Sequence, residues 1–429
     1  MRCRETLQRI EHRGLRQLLA LQLRWHLPAG IDALHVGQLV GDAFVAVDAG
    51  RLAGQQETLA TARNRFALKR SLCGRWPTGL LNLFNYRRLV RESSRKRVAM
   101  AVLVTGGAGY IGSHMVWELL DAGEEVVVLD RLSTGFDWAV PQEATLVVGD
   151  IGDAGLVGSL IREHAVEAII HFAGSIVVPE SVADPLGYYQ NNACKTRTLL
   201  EAAVAGGVKH VIFSSTAAVY GQAGMEPVSE THPLSPESPY GRSKLMTEWM
   251  LADASAAHGF TYSALRYFNV SGADPRGRTG QSTPGATHLI KVACETALGK
   301  RNSMQVFGND YQTPDGSCVR DFIHVSDLAA AHRLALGRLR AGGGNLVANC
   351  GYGHGYSVLE VIDSVRRVHG HDLAVGMGPR RAGDVASVVA NPALAFAELG
   401  WQPRFDRLDQ IVGDALAWER ILSTKNAAR

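Results

Sequence analysis

Tyr240 and Lys244 stand four residues apart in the stretch Ser238-Pro239-Tyr240-Gly241-Arg242-Ser243-Lys244, and a helix starting there projects both from one face. A free phenol has a pKa near 10, so holding it as phenolate at neutral pH takes about 4 kcal/mol. An ammonium within about 4–6 Å supplies most of that at an effective dielectric near 20. A tyrosine so primed takes the proton of an alcohol while hydride leaves the same carbon. Thr216, in Ser214-Ser215-Thr216-Ala217-Ala218-Val219-Tyr220-Gly221, offers a hydroxyl to bridge the phenol and the reacting oxygen. Plainer readings exist for each: a Tyr-x-x-x-Lys surface pair, and a threonine satisfying its own turn.

What favours chemistry is the stretch upstream. Ala101-Val-Leu-Val-Thr is an apolar run suited to a buried parallel strand. Gly106, Gly109 and Gly112 then recur at three-residue spacing as a helix begins, and Gly107, Gly109 and Gly112 satisfy G-x-G-x-x-G. Glycine serves where the turn is tight and no Cβ may intrude between backbone N–H groups and a pyrophosphate. A second apolar strand, Val126-Val127-Val128-Leu129, delivers Asp130 about 20 residues on, where a carboxylate accepts from the ribose hydroxyls and repels a 2′-phosphate. Arg131 next to it could greet that phosphate, but the acid favours NAD over NADP. The cationic nicotinamide of such a cofactor would add to the pull on Tyr240.

Stepping along the chain from Met100, strands and helices alternate in the βα rhythm of a doubly wound parallel sheet. Leu146-Val147-Val148-Gly149-Asp150 is a third strand, with Asp150 and Ile151 placed to hold adenine. Ala168 to Gly174 is a fourth, whose small residues let a cofactor lie against the backbone. A helix from about Asn191 to Ala205, the strand His210 to Ser215, a helix from Tyr240 to His258 and the strand Tyr262 to Tyr267 follow. From Gly272 the pattern loosens into polar loops and shorter elements. The expected organisation is a basic extension over 1–99, a Rossmann domain over 100–271 and a smaller α/β substrate domain over 272–429.

Composition bounds the reading. Of 429 residues 46% are hydrophobic and 20% charged, ordinary for a globular enzyme, and no apolar run is long enough for a membrane span. The six cysteines (Cys3, Cys73, Cys194, Cys294, Cys318, Cys350) show no C-x-x-C and no pairing rhythm. That argues for reduced thiols in a cytoplasm and against a metal site. The net charge of +3 hides an asymmetry: residues 1–99 carry 18 Lys and Arg against 7 Asp and Glu, so the remainder stands at −8. A basic amphipathic helix fits Gln8 to Trp25, and beyond it no period is sustained. The expectation is that 1–99 are upstream residues outside the working enzyme. A transit peptide, a nucleic-acid or membrane-surface arm, and a domain in its own right are the alternatives.

The motifs Thr105-Gly-Gly-Ala-Gly-Tyr-Ile-Gly112, His171-Phe172-Ala173-Gly174, Ser238-Pro239-Tyr240-Gly241-x-Ser-Lys244, Arg266-Tyr267-Phe268-Asn269 and Val319-Arg320-Asp321-Phe322-Ile323-His324-Val325 resemble the extended short-chain dehydrogenase/reductase family. Within it the chain is most similar to the nucleotide-sugar epimerases, over about three quarters of its length. The resemblance implies NAD held by Tyr110, Ile111, Asp130, Asp150, Ile151, Phe172, Ala173, Gly174, Asn191, Tyr240, Lys244 and Phe268. It implies a UDP-sugar met by Thr216, Asn269, His288, Leu289, the Val306-Phe307-Gly308 turn, Arg320, and Arg381 with Asp384. Arginine suits the pyrophosphate of such a substrate because its planar fork pairs with phosphate oxygens. The implied reaction is reversible inversion at C4, with UDP-glucose and UDP-galactose as the first pair and N-acetyl, pentose or uronate analogues as the alternative.

Two departures from the family pattern stand out. Ile176 replaces a lysine often found near the cofactor, and Thr216 replaces a serine, keeping the hydroxyl and adding a methyl. The dehydratases of the same fold resemble Thr-Asp-Glu after the central strand, whereas Ala217 and Ala218 here can move no proton, so elimination is disfavoured. A silent NAD-sensing scaffold would be expected to lose Tyr240 or Lys244, and a net dehydrogenase would exchange its cofactor. No nucleic-acid or membrane partner is expected. Leu199, Leu245, Trp249 and Leu251 exceed what one packed helix face needs, so a homodimer through the helices near Asn191–Ala205 and Leu245–Ala257 is expected.

Overall fold

The computed structural model describes residues 100–427, apart from 223, 225, 382 and 383. The readings made on residues 1–99, including the helix from Gln8 to Trp25, lie outside the described residues. Val, Ile and Leu runs form the central strands, because such residues pack well when a parallel sheet is covered on both faces. They are β1 (Val102–Thr105), β2 (Val126–Asp130), β3 (Thr145–Val148), β4 (Ala168–His171), β5 (His210–Thr216) and β6 (Thr261–Tyr267). All are parallel, in the order β3-β2-β1-β4-β5-β6, and a further strand completes the far edge beside β6. The order reverses between β1 and β4, which opens a crevice at their carboxyl ends.

Between these strands run α1 (Tyr110–Asp121), α2 (Ala154–Glu163), α3 (Val178–Ala183), α4 (Pro185–Tyr188), α5 (Lys195–Gly206) and α6 (Pro239–His258). The period-two alternation of the strands divides the core. Val102, Val104, Val128 and Ile170 face one layer with Met115 and Leu119, while Leu103, Val127, Leu129 and Ile169 face the other with Val157, Leu160 and Leu199. Each such side chain taken from water contributes about 1.5–3 kcal/mol. A π-helical turn, Tyr189–Cys194, precedes α5 without a break, so the helix expected from Asn191 begins in the wider turn.

Beyond β6 come β7 (Asn269–Ser271), α7 (Leu289–Ala297), β8 (Met304–Phe307), β9 (Val319–Arg320), β10 (Phe322–His324) and α8 (Val325–Arg340). Then follow β11 (Leu346–Cys350), β12 (Tyr356–Ser357), α9 (Val358–His369), β13 (Val375–Gly378), β14 (Ser387–Val388), α10 (Ala393–Leu399) and α11 (Leu408–Ala427). The far-edge strand of the large sheet is β11, paired in parallel with β6, and α8 packs against α1. The expected boundary at residue 271 therefore does not divide the chain in space, because residues 325–350 return to the large sheet. The periodicity after Gly272 hid this: Leu346-Val-Ala-Asn-Cys350 is short and contains a polar residue. The smaller strands pair as β7 with β10, β8 with β13, and β9 between β12 and β14.

Candidate active site

The glycine loop leaves β1 with no room for side chains. Gly106 has φ +73°, and a Cβ there would lie 2.7 Å from the Ala173 backbone nitrogen. A Cβ on Gly112 would lie 2.1 Å from the Gly106 carbonyl oxygen, so the first turn of α1 rests directly on the loop. Gly109 caps α1 without a side chain, which leaves the positive end of the helix uncovered by a capping group. Tyr110 ties the loop to the second half of the molecule, its hydroxyl donating to the Gly272 carbonyl at 2.7 Å, and Ile111 follows half-buried in the same turn. Asp130 closes the cradle: its carboxylate accepts from the Ala108 N–H at 3.0 Å and the Leu132 N–H at 2.8 Å. A carboxylate offers about four lone-pair sites, so acceptor capacity remains for a ribose.

Asp150, at the end of β3, accepts from the Gly152 N–H and from Lys195 Nζ at 2.5 Å. Burial works against its charge, but Lys195, the Gly152 amide and Arg131 outweigh it and hold the carboxyl below its ordinary range. Arg131 is thereby engaged, 3.7 Å from Asp150 and donating to Ser133, rather than left for a 2′-phosphate. Ile151 is buried beside them. On the β4 side Ala173 meets Gly106, and the Phe172 ring lies on His332 with centroids 4.9 Å apart. A Cβ on Gly174 would press on Asn192 at 3.1 Å. Asn191 donates to the Ser175 hydroxyl, while buried Asn192 fixes the Ser175 backbone through both its amide atoms. These features fit a dinucleotide without a 2′-phosphate: backbone contacts that exclude Cβ atoms, an open helix N-terminus and an acid at the end of β2. Lys195 and Asn192 were missed from sequence, although Lys195 stands four residues past Asn191, one helical turn on, and Asn192 follows it directly.

Ser238 caps α6 by accepting from the Gly241 N–H at 3.1 Å, and Pro239 supplies the first-turn φ. A Cβ on Gly241 would lie 2.7 Å from the Ala218 carbonyl oxygen, so only glycine lets the helix start settle on the turn that follows β5. That settling brings Tyr240 to Thr216. The Thr216 hydroxyl accepts from the Ala218 N–H at 3.1 Å, as a turn residue would, and stands close enough to Tyr240 to favour its phenolate. Lys244 is 4% exposed and donates to the Ser214 carbonyl at 2.9 Å, its ammonium 4.9 Å from the Phe213 ring centroid. Burial lowers its pKa to about 8.

Burial raises the Tyr240 pKa above its ordinary value, with the Thr216 hydrogen bond working the other way. Helical spacing puts Lys244 on the same face, its ammonium donating to the Ser214 carbonyl at the strand end. Ser214 also binds the Tyr267 hydroxyl, and Phe268 packs on Val219, Tyr220 and Leu245.

The residues expected to meet substrate are spread over the second half. Asn269 opens β7, His288 caps α7 with Leu289 as its first residue, and burial depresses the His288 pKa. Val306 is buried on β8 while Phe307 is 37% exposed, with the Arg381 guanidinium 4.7 Å over its ring. Arg381 also pairs with Asp384 at 2.9 Å. Arg320 lies on β9 between β12 and β14 and donates to its neighbour's carbonyl. Ile176 is 52% exposed, so the site of the missing lysine faces solvent.

The sequence model of the NAD dependent epimerase/dehydratase family matches residues 102–351. A UDP-glucose 4-epimerase of Azospirillum brasilense is 57% identical over 321 residues, which is 75% of this chain and 92% of that protein. The crystal structure of UDP-glucose 4-epimerase from Brucella ovis in complex with NAD superimposes with a TM-score of 0.73 at 46% identity, covering 74% of this chain and 98% of that one. That of the Thermotoga maritima enzyme with UDP-glucose gives 0.66 at 32% identity, covering 75% and 99%.

Proposed function

The chain belongs to the NAD dependent epimerase/dehydratase family, and from that membership we propose that it is an NAD-dependent UDP-glucose 4-epimerase, interconverting UDP-glucose and UDP-galactose. The observation that carries the reading is the seat of Tyr240 and Lys244 at the carboxyl end of β5, where Gly241 lets the start of α6 settle on the Ala218 carbonyl and Lys244 donates to the Ser214 carbonyl, with alanines at 217 and 218. NAD, when bound, supplies a cationic ring and a reversible two-electron acceptor for the C4 hydrogen. The glycine loop, Asp130, Asp150 and the Phe172–Gly174 backbone would hold it. Tyr240 takes the C4 hydroxyl proton as the carbonyl forms and returns it after the ketone turns over. Thr216 donates to the phenolate and orients the reacting oxygen, and Lys244 fixes the strand end beneath them. Ala217 and Ala218 supply no acid or base for elimination of water from the 4-keto sugar. The substrate is gripped by Asn269, His288, Leu289, Phe307, Arg320 and Arg381, with Asp384 orienting Arg381. Incubating the protein separately with UDP-glucose, UDP-GlcNAc, UDP-xylose and UDP-glucuronate, with products identified by NMR, tests this. Turnover only of an analogue other than UDP-glucose reassigns the sugar.

The reading extends to assembly. Leu199, Leu245 and Leu251, expected at a subunit contact, are each less than 5% exposed and belong to the protomer's own core. Trp249, expected there as well, is 57% exposed on α6, and Val182 (65%) and Leu186 (77%) project beside it from α3 and α4, which pack with α6. A homodimer covers this face. Trp249→Glu should convert the dimer to monomer in sedimentation, and a wild-type monomer, or a dimer indifferent to Trp249→Glu, would refute it.

Among the described residues no helix is long and apolar enough to cross a membrane. The four described cysteines are free thiols, which suits the reducing cytoplasm we assign. Residues 1–99 lie outside the working enzyme, a reading supported by their arginine-rich composition and by a family match that starts at 102. A chain beginning at Met100 should epimerise as fast as the full chain. Loss of more than about tenfold in turnover, or of several degrees in thermal midpoint, on the order of 1 kcal/mol, would make the segment a structural domain.

A further inference from the structure

Tyr240, Lys244 and Glu248 follow one another at four-residue spacing, so the face of α6 that carries the proton-transfer pair continues into a carboxylate. Glu248 is buried and bound in a fork by Arg266 of β6, through Nε at 2.9 Å and a terminal nitrogen at 2.5 Å. The same carboxylate accepts from the Ser215 hydroxyl at 2.5 Å. Ser215 sits between Ser214, whose carbonyl accepts from Lys244, and Thr216, which leads into the turn on which the Tyr240 end of α6 settles. Arg266 also donates to the Tyr220 hydroxyl at 3.0 Å, and Tyr220 donates to Asn349 of β11 at 2.7 Å. Asn349 in turn donates to the Val228 carbonyl, and Val228 exchanges backbone bonds with Val389 and Asn391 just past β14. One buried polar chain thus runs from the helix of Tyr240 to the strand paired with Arg320.

We propose that the Glu248–Arg266 pair positions Tyr240 and Lys244 against Thr216 and Ser214, and so sets turnover without touching substrate. Neither residue lies within the reacting set, and hydrophobic contact alone would hold α6 on the sheet. A directional fork adds what packing lacks, a fixed register along the helix axis. A loss of register along the helix displaces the phenol from the reacting oxygen, and misplacement of about 1 Å costs up to about a hundredfold in rate.

The inference rests on the epimerase reading, so wild-type turnover of UDP-glucose is measured first, and its absence would reject that reading rather than this one. Glu248→Gln keeps the shape and removes the charge. It should lower kcat by about tenfold to a hundredfold with KM for UDP-glucose within about threefold and NAD content unchanged. Ser215→Ala leaves the ion pair intact and cuts only its tie to β5, and should lower kcat severalfold with the same unchanged KM. Wild-type kcat in Ser215→Ala overturns the proposal even where Glu248→Gln fails to fold. So does a lowered thermal midpoint in Glu248→Gln with kcat preserved, the signature of a purely structural pair.

Discussion

Tyr240→Phe should reduce turnover by about 10²–10⁴-fold while the protein keeps its NAD, because the change removes one oxygen and with it the only group placed to move the proton. The ring stays in its buried seat, and its neighbours Thr216 and Lys244 keep their other partners, the Ala218 amide and the Ser214 carbonyl. The structure adds a condition: burial holds the resting phenol above its ordinary pKa. The cationic ring of the bound cofactor would work against that burial, since an opposite charge nearby favours the phenolate. Turnover, NAD content and KM measured together separate this from a folding defect. A variant with near wild-type turnover would remove Tyr240 from the mechanism.

Gly112→Ala should empty the cofactor site. The added Cβ would lie 2.1 Å from the Gly106 carbonyl oxygen, and what it meets is backbone rather than a flexible side chain. Relief requires α1 to back away from the loop, and with it the amides that face the pyrophosphate. Affinity for NAD should fall by more than tenfold, equivalent to about 1.4 kcal/mol, with a lower thermal midpoint. Gly337→Ala provides the contrast. Gly337 lies inside α8 with nothing within 4 Å of a Cβ, so alanine there should leave NAD binding alone and stabilise the helix by about 0.8–1 kcal/mol. NAD retained by Gly112→Ala through purification would mean the loop does not bind the pyrophosphate as argued.

The glycine loop, Asp130 and the Tyr240–Lys244 helix were legible because local chemistry dictates them: a turn without Cβ atoms, an acid at a strand end, a cap followed by proline. The same holds for the six strands from β1 to β6, which recur between helical stretches in the βα rhythm. What escaped depends on contacts distant in sequence. β11 joins the sheet through pairing with β6, some eighty residues earlier, and no local period announces it. Lys244 was placed correctly on its helix, yet its ammonium answers to Ser214, thirty residues back. Leu199, Leu245 and Leu251 show the same limit for surfaces. Apolar residues on a helix do not say which face meets a neighbour and which meets the protomer's own core.

The central claim is that oxidation and reduction occur at one carbon inside a closed site, with Tyr240 handling the proton and no hydrogen of C4 lost to water. UDP-glucose carrying deuterium at C4 tests this most directly, with the product examined by NMR and the near-ultraviolet absorbance of NADH followed in the same sample. The account predicts UDP-galactose that retains its deuterium at C4, with no NADH accumulating as product forms. Deuterium lost to solvent, or NADH rising in step with an oxidised sugar, would contradict it.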